Sequence, residues 1–140
     1  MTQDDIITVA RSALGIPFRH QGRSEAGLDC AGLLIYVAAR LCVECVDVSG
    51  YSRRPSGGQL EEALENNVKR GTLERISPDQ MQSGDFLMMR FGKDPQHLAI
   101  LSGDNIIHSY LQVGKVCEHR LDDVWRASIV RIYRLVGVTA

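Results

Sequence analysis

Residues 27–41 read GLDCAGLLIYVAARL, an almost wholly apolar run that opens on an acid and a cysteine. Leu33, Leu34, Ile35, Val37, Ala38 and Leu41 leave it almost no polar face, which predicts a helix enclosed on several sides rather than lying on a surface. It is the expected centre of the fold. Asp29 suits the N-cap position, where its carboxylate accepts a first-turn N–H for about 1 kcal/mol. Cys30 then stands in the first turn, where the helix dipole and unpaired N–H groups favour a thiolate over a thiol. That makes Cys30 a candidate nucleophile, although free cysteine also serves simply as a small buried hydrophobe.

Upstream, Ile6, Ala10, Ala13 and Leu14 keep helical spacing, Thr2 and Asp5 resemble a capping box, and Gly15 and Pro17 supply the stop. A first helix is expected over residues 2–14, followed by a loop that delivers the chain to Asp29. Downstream, VSGYSRRPSGG reads as a second loop, and QLEEALENNVK as a third helix with Leu60, Ala63, Leu64 and Val68 inward and Gly71 at its end. The period then changes. DFLMMRF, HLAILS, NIIHSYL, KVCEHRL and IVRIYRLV are short strand-like runs separated by GKDPQ, GD, QVG and DDVWRAS. Helices first and strands second predict an α+β architecture, the central helix packed on a C-terminal antiparallel sheet, in one domain spanning residues 1–140.

The 140 residues suffice for one well-buried core, and 44% hydrophobic with 24% charged residues is ordinary for a globular chain. A net charge of −1 gives no basic excess for nucleic acid or an anionic membrane. The longest apolar run, Ala31 to Ala39, is too short for membrane insertion. The start MTQDDIITVA carries acids where a secretory signal carries Lys or Arg, so synthesis in a reducing cytoplasm is expected.

An activated thiol needs a base, and the chain has four histidines. Two can be placed by hairpin arithmetic. With Gly103 and Asp104 as a two-residue turn, His108 faces Ala99, which shares a sheet face with His97. The two histidines become diagonal neighbours, their Cβ atoms roughly 7–8 Å apart, whereas a loop of Ser102 and Gly103 sets them directly opposite and only an odd loop or a bulge separates them. With the central helix packed on that same face, His97 would hold the Cys30 thiolate as an ion pair and protonate the leaving amine, and His108 would orient His97. The Cys30 backbone N–H is the first candidate oxyanion donor.

The order LGIPFRHQGRSEAGLDCAGLL, GDFLMM, HLAIL and IIHSY resembles the NlpC-type cysteine peptidases, papain-like enzymes that cut the peptide stems of bacterial peptidoglycan. The resemblance implies Cys30 as nucleophile, His97 as base and His108 as the third polar member, with no cofactor. The wording of PFRHQGR, IIHSY and VCEHRL is similar to the branch associated with bacteriophage tails. It implies the bond between D-glutamate and a diamino acid as target, stem peptides and particle proteins as partners, and action at the cell wall. Two departures stand out. Phe18 replaces the tyrosine whose hydroxyl assists the oxyanion in that family, a donor worth about 2.7–4 kcal/mol. His20 or Gln21 could supply a substitute N–H, beside Asp29 at the same mouth. Ala31 replaces the usual serine. A non-enzymatic tail-assembly protein and an acyltransferase are the competing classes.

Cys42, Cys45, Cys117 and His119 raise a zinc site as the alternative use of cysteine. Cys117 and His119 share a strand face, but Cys42 and Cys45 end an apolar helix where packing explains them, so no metal is expected. Arg19 and Arg23 read as loop cations that are solvated or meet a stem carboxylate, and Tyr110, Trp125 and Tyr133 as packing aromatics.

Overall fold

The computed structural model describes residues 1–47, 51 and 58–139. Most of the loop expected over VSGYSRRPSGG lies outside the described residues. Helix α1 (Gln3–Ser12) opens on the Thr2–Asp5 capping box. A short hairpin, β1 (Arg23–Ser24) and β2 (Gly27–Leu28), leads into α2 (Cys30–Arg40), and α3 (Gln59–Lys69) follows. The main sheet comprises β3 (Leu73–Arg75), β4 (Phe86–Phe91), β5 (Asp94–Ser102), β6 (Asn105–Tyr110), β7 (Lys115–Arg120) and β8 (Ile129–Leu135). A five-residue helix, α4 (Asp123–Ala127), joins β7 to β8. The order across the sheet is β3-β8-β4-β5-β6-β7, antiparallel throughout.

Alternation of side chains divides the sheet between two apolar layers. Phe86, Met88, Leu98, Ile100, Ile107 and Val116 meet α1, α2 and α3 through Ile6, Ala10, Leu33, Leu34, Val37, Leu60 and Leu64. Leu87, Met89, Ala99, Leu101, Ile106 and Ile132 face the other way, where Trp125 of α4 packs. The main core therefore lies between the helices and the sheet. Gly32, in the first turn of α2, shows why that helix tolerates no side chain at one point: a Cβ there would stand 2.1 Å from the Gly22 carbonyl oxygen.

Particular expectations are corrected. Leu14 is 43% exposed, because α1 ends at Ser12 and the chain has already turned; Ile7 is buried in its place. On α3, Val68 is only partly buried, while Asn67 is buried with its amide holding Val46 and the Ala63 carbonyl. β3 and α4 are too short for periodicity to show, and α4 sits inside the DDVWRAS separator. The GKDPQ separator shrinks to Gly92 and Lys93, with Gly92 at φ 69°, and β5 already contains Pro95, at a register shift against β4. A bulge accommodates a residue with no N–H.

Candidate active site

Cys30 begins α2 and Asp29 caps it, accepting from Gly32 N at 2.8 Å. Asp29 does far more than cap. One oxygen also accepts from Arg23 Nη1 at 2.9 Å, and the other from Gln21 N at 2.8 Å and from the Tyr51 hydroxyl. Arg23 reaches the Tyr51 oxygen at 2.9 Å and pairs with Asp47 at 3.0 Å. Arg23 is thus a structural cation, not a solvated one. Asp29 is buried and its oxygens are fully engaged, so it organises the helix mouth rather than meeting a ligand.

The hairpin arithmetic holds where it can be measured. Ser102 pairs with Asn105, Leu101 with Ile106 and Ile100 with Ile107, and continuing that register sets His108 across from Ala99. His97 Nε2 and His108 Nδ1 lie 2.5 Å apart, both rings buried. The expected face is wrong, however. His97 shares its face with Ala99 and Leu101, on the Trp125 side, whereas α2 packs on the Leu98 and Ile100 side.

The sheet itself resolves the conflict. β5 and β6 pair over three residues only, ending at Ile100 and Ile107. Leu101 N bonds the Asp85 carbonyl on the β4 side, and strand amides alternate, so the N–H of Leu98 belongs to the edge facing β6. Where β6 has departed, Cys30 stands in its place. The thiol donates to the Gln96 carbonyl at 3.9 Å, and the Leu98 and Ala31 N–H groups point at the sulfur. A cavity of about 470 Å³ lies at this gap, lined from the helix side by Phe18, His20, Cys30 and Ser109 and from the other by Phe91, His97 and Tyr110. Sulfur and ring thus border one hollow across the sheet.

The electrostatics reverse the expected ion pair. Burial and then the Asp29 charge push the Cys30 thiol up to about 12, against the opposing N–H groups of Leu98 and Ala31 and the Arg23 cation. Burial, with His119 nearby, holds His97 down at about 3; burial and the other two rings hold His108 at about 2. All three shifts favour the neutral forms of Cys30, His97 and His108 in the resting site.

His119 and Trp125 complete the arrangement. His108 Nε2 lies 2.7 Å from His119 Nε2, and His119 Nδ1 lies 2.9 Å from the Arg120 carbonyl oxygen. The Trp125 ring covers His108 and His119 at centroid distances of 5.2 and 5.3 Å. The same hairpin arithmetic, applied to the next turn, finds His119: β6 pairs with β7 so that Cys117 faces His108 and His119 lies diagonal to it. The four-ligand zinc grouping does not assemble. Among the described residues, Cys117 and His119 gather with His108, not with Cys42 or Cys45.

Of the candidate oxyanion donors, His20 lines the cavity and Gln21 does not. The Gln21 side-chain amide donates to the Tyr51 carbonyl at 2.9 Å. Tyr51, which no spacing in the sequence marks, puts a phenol at the cavity that Phe18 cannot supply, but its hydroxyl is given to Asp29.

A model of the NlpC/P60 family matches residues 15–134. Among solved structures, an NlpC/P60 family protein of Bacillus cereus is 19% identical with a TM-score of 0.72, over 98% of this chain and 41% of that one. The peptidoglycan hydrolase RipB of Mycobacterium tuberculosis is 19% identical with a TM-score of 0.66, over 96% and 64%. RipD of the same organism, described as a non-catalytic NlpC/p60 domain protein adapted to peptidoglycan binding, is 17% identical with a TM-score of 0.64, over 96% of both chains. The chain spans only 41% of the two longer structures it matches from Staphylococcus aureus and B. cereus.

Proposed function

The chain belongs to the NlpC/P60 family, and from that premise we propose that it is a cysteine peptidase hydrolysing an amide bond in peptidoglycan stem peptides. The single observation that carries this reading is that Cys30 and His97 border one cavity while His97 is held by His108. As the sulfur attacks the scissile carbonyl carbon, its proton passes to His97, so the thiol is deprotonated in the reaction rather than beforehand. The Cys30 N–H faces the developing oxyanion. His97 returns the proton to the leaving amine, which departs and leaves a thioester. Water, deprotonated by His97, then releases the free carboxylate and restores the thiol.

The substrate bond in this reading is D-glutamyl to diamino acid, and the carrier is a phage tail or related particle acting at the wall; both rest on the sequence resemblance. No helix among the described residues is long and apolar enough to cross a membrane.

The test is incubation of the protein, Cys30→Ala and His97→Ala with purified muropeptides, weighing the products. Cleavage with gain of one water is expected, abolished in Cys30→Ala and reduced roughly 10²–10⁴-fold in His97→Ala. Intact muropeptides with the unaltered protein would overturn the reading. Retained wall binding in that case would favour a binding role like the one described for RipD.

A further inference from the structure

We infer that His119 is a positioning residue that sets, through His108, which nitrogen of His97 is free to take the proton of Cys30. The inference rests on the peptidase reading for its consequence, but not for its geometry. A backbone carbonyl can only accept, so the contact at 2.9 Å with Arg120 requires His119 Nδ1 to carry a hydrogen. In the neutral ring Nε2 is then bare, and at 2.7 Å it must accept from His108 Nε2–H. That choice leaves His108 Nδ1 bare, so at 2.5 Å it accepts from His97 Nε2–H. Each ring keeps one nitrogen without a hydrogen, and His97 Nδ1 is the one of these three that accepts from no neighbouring ring. Its lone pair is what a base for the thiol needs.

In a row of neutral rings each link follows from the one before it, and the first is an atom that cannot change role. Without His119, His108 can hold its proton on either nitrogen. With the proton on Nδ1 it donates to His97 Nε2, and His97 carries its own hydrogen on Nδ1, the nitrogen that should be bare. A wrong tautomer of this kind disables a catalytic histidine without moving it. Burial favours the neutral form of His97 and His108, and Trp125 lies over His108 and His119, so the order passes along the buried part of the row by hydrogen bonds rather than by charge.

The decisive measurement is nitrogen-15 NMR of the histidine rings in the whole protein, paired with kinetics on muropeptides. In the unaltered protein His97 is expected as the Nε2–H tautomer alone. His119→Ala should show both tautomers of His97 and lower kcat roughly tenfold to a hundredfold with KM little changed. In His119→Gln the side-chain oxygen can accept from His108 Nε2–H, and both the single tautomer and most of kcat should return. An unchanged His97 tautomer in folded His119→Ala overturns the inference, as does an Nδ1–H tautomer in the unaltered protein. Either result stands whether or not the protein cleaves muropeptides, so failure of the peptidase reading is seen separately, as absent turnover in the unaltered chain.

Discussion

Two polar networks border the cavity, and they handle charge in opposite ways. At the helix mouth Asp29 stays buried because Arg23, Tyr51 and two backbone amides satisfy it, a cluster built of paired ions. Across the gap in the sheet, His97, His108 and His119 form a row in which the buried rings are kept neutral and hydrogen bonds alone fix their orientation. The thiol between them inherits the consequences of both, since it sits beside an anion and away from any stabilising imidazolium. A cysteine at a helix start is thus not an activated cysteine by position alone. The Ala31 N–H in the first turn of α2 favours the thiolate, but burial and Asp29 act the other way and more strongly.

The sharpest way to break the contrast is to remove the anion. Asp29→Ala removes the buried carboxylate partner of Arg23 and uncaps α2; a loss of about 3 kcal/mol in urea unfolding is expected, at the low end for a broken buried ion pair because Arg23 keeps Asp47 and some water contact. In the milder Asp29→Asn the thiol should titrate at lower pH than in the unaltered protein, read from the pH dependence of iodoacetamide labelling. An unchanged profile would show that Asp29 does not hold the thiol up.

Acid probes the neutral network. The unfolded chain takes up protons at His97 and His108 near 6.5, whereas the folded rings resist until about 3 and about 2. The unfolded state therefore binds more protons in that interval, and stability must fall as pH drops below 6.5, with no contribution above it. Between pH 7 and 5 the expected loss is about 2–4 kcal/mol, from roughly 1.4 kcal/mol per pH unit for each ring. His97→Gln should flatten the slope. A slope unaltered by that change would place the acid sensitivity elsewhere.

The smallest effect concerns the start of α2, where Gly32 packs against Gly22. Gly32→Ala drives a methyl group toward the Gly22 carbonyl and should cost about 1–3 kcal/mol in thermal unfolding, as overpacking does. A neutral outcome would mean that the β1–β2 hairpin moves aside at no expense.

Much of this was legible in the residues. The apolar run after Asp29 announced an enclosed helix, the Thr2–Asp5 pair its predecessor, and GD between two β-branched runs fixed the register that joins His97 to His108. What stayed hidden has physical reasons. β3 and α4 are shorter than any hydrophobic period, so their sequences carry no repeat. Alternation tells which residues share a face, but not which face a helix will choose; that depends on the whole of both apolar layers. The Asp29 cluster draws on Arg23, Asp47 and Tyr51, whose spacing along the chain has no period because loops bring them together. The ring row beyond His108 was within reach of the register argument, one turn further on.

The early end of the β5–β6 ladder carries one further consequence. A sheet ordinarily works as a wall, and here the helix that carries the sulfur and the ring of the base stand on opposite sides of it. They meet only through a window where rungs are absent, and Cys30 fills the frame. Extending the pairing toward Tyr110 would strengthen the wall and brick up the window, so the same backbone atoms serve either robustness or reactivity, never both.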